Sequence, residues 1–217
     1  MPTSSAVLSL FIDGPAGRLE SLLNTGAPDA RYAALVCHPH PLYGGTMHNT
    51  VVYHTMKALN GFGFPVLRFN FRGNGLSQGM HDYGHGEVDD VRVTLDWLDR
   101  EFRRPIIFAG FSFGAAVGLR AACSDVRVAA TIGVGTPLQV EDHQYGYGFL
   151  RACTKPKLFV SGSRDQFGPR TELERMVAAL PAPRQLTLID EADHFFEGHL
   201  EQLRKIVENW AREQLML

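Results

Sequence analysis

The chain has 217 residues and sets 21 Lys and Arg against 23 Asp and Glu, a formal net charge of -2. That length favours one domain over residues 1–217 with a self-supporting core, and 45% hydrophobic residues, among them 14 Phe, exclude disorder and collagen-like repeats. Near-neutral charge without a basic stripe excludes a dedicated nucleic-acid binder, whose phosphate contacts need clustered Lys and Arg.

Strand-like and helix-like segments alternate along the chain. Residues 7–12 and 18–24 read as two opening strands around an Asp13-Gly14-Pro15 turn. Residues 32–37 form a nearly continuous apolar run, the pattern of a strand buried on both faces. A helix follows over about 48–59, then a second buried strand over 65–71. Val88, Val91, Leu95, Leu98 and Phe102 recur at spacings of three and four, and Glu87, Asp89 and Asp90 occupy the first turn of that helix, where its dipole favours anions. A strand over 105–110 leads into a small-residue helix over 113–123. Residues 128–134 and 157–161 are two more buried strands. Leu173, Met176, Val177 and Leu180 mark another helix, 185–189 a last strand, and Leu200, Leu203, Val207 and Trp210 the closing helix. Two strands followed by repeated βα units predict an α/β fold with a mostly parallel eight-stranded sheet and helices on both faces.

No stretch stays apolar for the roughly 20 residues of a membrane span. Residues 1–12 carry no basic residue before their short apolar run, so the chain is read as cytoplasmic. Cys37, Cys123 and Cys153 cannot all pair and are spaced unlike a zinc ribbon; each reads as a buried thiol.

Gly110-Phe111-Ser112-Phe113-Gly114 matches GxSxG and lies between a predicted strand and a predicted helix, the setting that gives this motif its meaning. The glycines let strand and helix approach closely while Ser112 is held in a strained turn at the carboxyl edge of the sheet. The Phe113 amide, at the start of the helix, is then aimed at negative charge formed on a substrate. A catalytic Ser needs a base, and the base an acid that fixes its tautomer. Of nine His, His194 follows the last predicted strand directly, and Asp165 follows the strand over 157–161, so both sit at the same sheet edge as Ser112. Asp193, adjacent to His194, is a rival acid ranked below Asp165. His199 falls in the closing helix.

His38-Pro39-His40-Pro41, Gly44-Gly45-Thr46-Met47, Arg68-Phe69-Asn70-Phe71-Arg72-Gly73, the GxSxG segment and Ala192-Asp193-His194-Phe195-Phe196 together resemble a small serine hydrolase of the α/β-hydrolase superfamily, near its compact dienelactone-hydrolase-like group. The resemblance spans nearly the whole chain and implies an α/β-hydrolase fold. It aligns the superfamily's HGxP loop with residues 38–41, Pro39 standing in place of Gly. The His40 amide is thereby implied as the second oxyanion donor, with the Leu42 amide as the alternative. True dienelactone hydrolases use Cys where this chain has Ser112, which counts against that activity.

His38 with His40, and His81 with His85, could be read as metal pairs, but neither has a clear third ligand; no metal and no cofactor are expected. Arg72 reads as an ion pair shaping its glycine-rich loop rather than a contact to an acidic substrate, and that loop lacks the Lys-Ser/Thr of a phosphate-binding loop. Only about 21 residues, 136–156, separate two predicted strands where larger relatives insert a cap, so no lid or a minimal one is expected. Leu42, Tyr43, Phe111, Phe167 and Phe195, with Tyr145, Tyr147 and Phe149, are candidates for an aromatic acyl pocket. These readings converge on an esterase cleaving small-molecule, short-chain soluble esters. Thioesterase, peptidase or acyltransferase chemistry on the same three residues stays open, as do a hydrolase-like binding module and a homodimer.

Overall fold

The computed structural model describes residues 6–216; residues 1–5 and 217 of the expected 1–217 domain lie outside the described residues. In chain order the strands and helices are β1 (Val7–Gly14), β2 (Gly17–Asn24), β3 (Ala33–Cys37), α1 (Thr50–Asn60), β4 (Val66–Phe69), α2 (Gly86–Phe102), β5 (Ile106–Phe111), α3 (Phe113–Ala122), β6 (Val128–Val134), β7 (Gln139–Val140), β8 (His143–Gln144), β9 (Lys157–Gly162), α4 (Arg170–Ala178), β10 (Arg184–Ile189) and α5 (Leu200–Gln214). Eight strands form one sheet in the order β1-β2-β4-β3-β5-β6-β9-β10. β2 is antiparallel to both β1 and β4, and every other neighbouring pair is parallel.

Strand alternation divides the core in two. Ala33, Leu35 and Cys37 of β3 and Ile106 and Phe108 of β5 face the apolar stripes of α2, α3 and α4. Ala34, Val36, Ile107, Ala109 and Phe111 face α1 and α5. Because the inner strands are buried on both faces, they read as continuous apolar runs rather than alternating ones. The parallel register brings the carboxyl ends of β3, β5, β9 and β10 to one edge, where open α/β sheets bind ligands.

The segment between β4 and α2 is held by buried charge. Arg72 Nη2 lies 2.7 Å from Asp90 Oδ1, Arg72 Nε donates to the same carboxylate, and so does the Arg72 amide at 3.0 Å. Glu87, fully buried, accepts from the Asp82 and Gly84 amides at 2.8 Å each. Two of the acidic residues that mark the start of α2 therefore anchor this loop as well as facing the helix dipole. The hairpin β7–β8 falls within residues 136–156, the segment expected to form no lid or a minimal one. Removing one partner of a buried ion pair strands the other charge, so Asp90→Ala should lower folding stability by about 3–5 kcal/mol, read from urea unfolding.

Candidate active site

The site is built on the turn between β5 and α3. A Cβ on Gly110 would lie 2.5 Å from the Gly114 carbonyl oxygen, and one on Gly114 would lie 2.5 Å from the His38 carbonyl oxygen. Only hydrogen fits at either position, and the resulting approach forces Ser112 to φ 54° and ψ -120°, outside the regions that side chains ordinarily adopt. The Ser112 amide donates to Val134 O at 2.9 Å, tying the turn to β6. Ser112 stands as the N-cap of α3, with Phe113 as its first residue.

Three side chains from three strand ends meet there. His194 Nε2 is 2.9 Å from Ser112 Oγ, and His194 Nδ1 is 2.9 and 3.0 Å from the two oxygens of Asp165. A carboxylate only accepts, so Nδ1 carries the ring proton and Nε2 is left to accept from the Ser112 hydroxyl. Asp165 also accepts from the Phe167 amide at 2.9 Å, the Gly168 amide at 3.2 Å and the Ser161 hydroxyl at 3.0 Å. Burial alone would raise its pKa, but the His194 contact and these donors outweigh burial and hold the carboxyl below its ordinary 3.8. The rival Asp193 turns away and accepts from the Phe195 amide at 2.9 Å. His199 is the N-cap of α5 rather than part of the helix.

The loop after β3 is set by His38. Its Nδ1 lies 2.6 Å from Pro39 O, and its Nε2 accepts from the Phe71 amide at 3.0 Å, an arrangement that requires the neutral ring. Burial pushes its pKa from the ordinary 6.5 down to about 3. His38 is thus a structural member, not half of a metal pair, and among the described residues no three His, Cys, Asp or Glu are grouped to hold a metal. The Leu42 amide donates to His40 Nδ1 at 3.2 Å, while the amides of His40 and Phe113 make none of the loop and cap hydrogen bonds.

A cavity of about 210 Å³ opens onto Ser112 and His194. Tyr43, Phe167 and Phe195 line it, as does Tyr145. Four of the expected pocket residues do not. Phe111 is 1% exposed and belongs to the core beside α1 and α5, its ring centroid 5.1 Å from that of His194. It backs the imidazole instead of meeting substrate, because β5's alternation turns it the way of Ile107 and Ala109. Leu42 is 63% exposed and reaches only an outer chamber. Tyr147 is buried with its hydroxyl on Pro137 O, and Phe149 packs against the core and the Arg120 guanidinium. The sequence reading missed Val140 and Glu141, carried into the cavity wall by the β7–β8 hairpin.

Residues 33–214 match the family model of an alpha/beta hydrolase domain. An uncharacterized protein of Rickettsia prowazekii is 33% identical over 208 residues, covering 93% of this chain and 87% of that protein. Among solved structures, an α/β serine hydrolase without lid from Xanthomonas campestris superposes with a TM-score of 0.87 at 32% identity, over 98% of this chain and 96% of that one. An α/β serine hydrolase homologue from Coxiella burnetii gives 0.85 at 35% identity, over 93% and 96%.

The neutral His38 makes a prediction about pH. Its folded-state pKa lies below the unfolded one, so its contribution to stability is complete above about pH 6.5 and is lost progressively as pH falls toward 3. Urea midpoints should begin to decline below pH 6.5, before the carboxylates titrate, and His38→Gln should make that early slope shallower without abolishing it, because burial also holds His40 down, to about 4.

Proposed function

The chain belongs to the α/β-hydrolase family, and we propose that it is a serine-dependent acyl hydrolase, a carboxylesterase of short-chain soluble esters. The observation that carries this reading is the unbroken chain of contacts from Ser112 Oγ through His194 to Asp165, each link within 3.0 Å. In the reaction Ser112 Oγ attacks the ester carbonyl carbon while its proton passes to His194 Nε2. Asp165 orients the ring and stabilises the imidazolium. Charge developing on the carbonyl oxygen is taken by the Phe113 and His40 amides, and the engagement of the Leu42 amide by His40 Nδ1 favours His40 as the second donor. Collapse of the tetrahedral intermediate returns the proton from His194 to the departing alcohol and leaves an acyl group on Ser112. Water, deprotonated by the same nitrogen, releases the acid.

Acyl-chain length follows from volume. At about 210 Å³ the cavity is smaller than the roughly 300–1,000 Å³ usual for ligand pockets. The β7–β8 hairpin forms part of its wall, and among the described residues no independent cap covers it. Acetate and butyrate esters should therefore be hydrolysed with higher kcat/KM than octanoate esters; a preference for the long chain would contradict the reading. Ser112→Ala should remain folded but lose turnover of an activated ester and labelling by a fluorophosphonate probe. Asp165→Asn, which leaves the imidazole in the wrong tautomer, should lower kcat about 10⁴-fold.

A further inference from the structure

Beside the cavity at Ser112 lies a second chamber of about 440 Å³. Tyr43, Tyr145 and Glu141 border both spaces; Tyr83, Asp142 and His81 belong to the outer one. Its walls thus carry three phenol rings and two carboxylates, and no Lys or Arg. Among the described residues, neither carboxylate takes part in an ion pair. Glu141 is held at the hairpin tip with φ 50°, beside Tyr43, whose phenol pKa its charge pushes up. Burial, with a smaller contribution from Tyr43, raises that of Tyr145. Both rings therefore remain neutral phenols. Burial, reinforced by the neighbouring His81, holds His40 neutral, its pKa down to about 4.

His81 adds an independent observation. Its side chain is 8% exposed, and its Nδ1 lies 2.8 Å from Oε1 of the fully buried Glu87. Neither ring nitrogen has a hydrogen-bond partner in the protein, so a nitrogen of this ring without its proton is a buried acceptor that lacks a donor. Aromatic faces attract cations and carboxylates pair with them, while an ammonium N–H is the donor that an unprotonated His81 nitrogen lacks. A carboxylate or phosphate would meet two like charges here instead, with no Lys or Arg in the walls to offset them.

We infer that this chamber receives the ammonium-bearing end of the substrate ester, an inference that rests on the esterase reading above. The protein would thereby discriminate by charge among esters of equal size.

Two pairs of esters of matched shape test this at pH 7. On the alcohol side, 2-(dimethylamino)ethyl acetate is compared with 3-methylbutyl acetate. On the acyl side, ethyl 4-(dimethylamino)butanoate is compared with ethyl 5-methylhexanoate. In at least one pair the ammonium ester should have a kcat/KM at least ten-fold above its neutral counterpart. The ratio should shrink as salt is added and fall below three-fold in the Glu141→Gln, Asp142→Asn double variant. Tyr83→Ala, at a ring that is 78% exposed, provides a second variant with little risk to folding and should also lower the ratio. Turnover of the neutral esters with no ammonium preference in either pair overturns the inference and leaves the esterase reading standing. A preference that survives both variants also overturns it. Absence of turnover on all four esters, with Ser112 unlabelled by the fluorophosphonate, overturns the esterase reading and the inference with it.

Discussion

Where β5 gives way to α3, two stretches of backbone pass closer than any side chain permits. Gly114 lies against the end of β3, and Gly110 lies against Gly114. The conformation this imposes on Ser112 costs of order 1–3 kcal/mol and survives only because its surroundings over-determine it. Those surroundings are the middle of the sheet: β5 is hydrogen-bonded in parallel to β3 on one side and β6 on the other, with packed helices above and below. The two-sided core is therefore what holds the serine hydroxyl out at the sheet edge.

The remaining chemistry depends on the same frame. Asp165 and His194 stand on the short loops that follow β9 and β10, and the register of these adjacent parallel strands lets the loops bond to each other, the Ser163 and Arg164 amides donating to Ile189 O and Ala192 O. The imidazole is oriented through its two nitrogens and by packing, with Phe111 behind it and Phe167 edge-on at 4.7 Å between centroids. Phe111 joins core to site. Its ring is part of the hydrophobic layer under α1 and α5, and the same ring limits the tilt of His194.

Much of this was legible in the chain before any coordinates. The eight strands of the sheet were readable because inner parallel strands are continuous apolar runs, and the glycines at 110 and 114 mark a turn that few other residues permit. Placing Asp165 and His194 directly after strands brought them to the right edge. The β7–β8 hairpin was not legible: two-residue strands in Gln-Val-Glu-Asp-His-Gln carry no periodicity. The burial of Glu87 and Asp90 was hidden for another reason, since an acidic residue in a first helical turn looks the same whether it meets solvent or a distant Arg72. Phe111 could have been assigned correctly from alternation, because it shares parity with Ile107 and Ala109. An aromatic residue beside a nucleophile invites a pocket role that its strand phase denies it.

Among the described residues the small hairpin supplies no strand to the large sheet and is tied to the loop after β9 by the Gln139 amide, which donates to Phe167 O. It nevertheless forms part of the wall of the space in front of the serine. Sequence change there is decoupled from the folding energy that holds the strained turn in place. Selection can rewrite these few residues freely, whereas each residue under the turn is constrained by the close packing of its neighbours. A scaffold divided in this way can acquire new substrates without first accumulating spare stability.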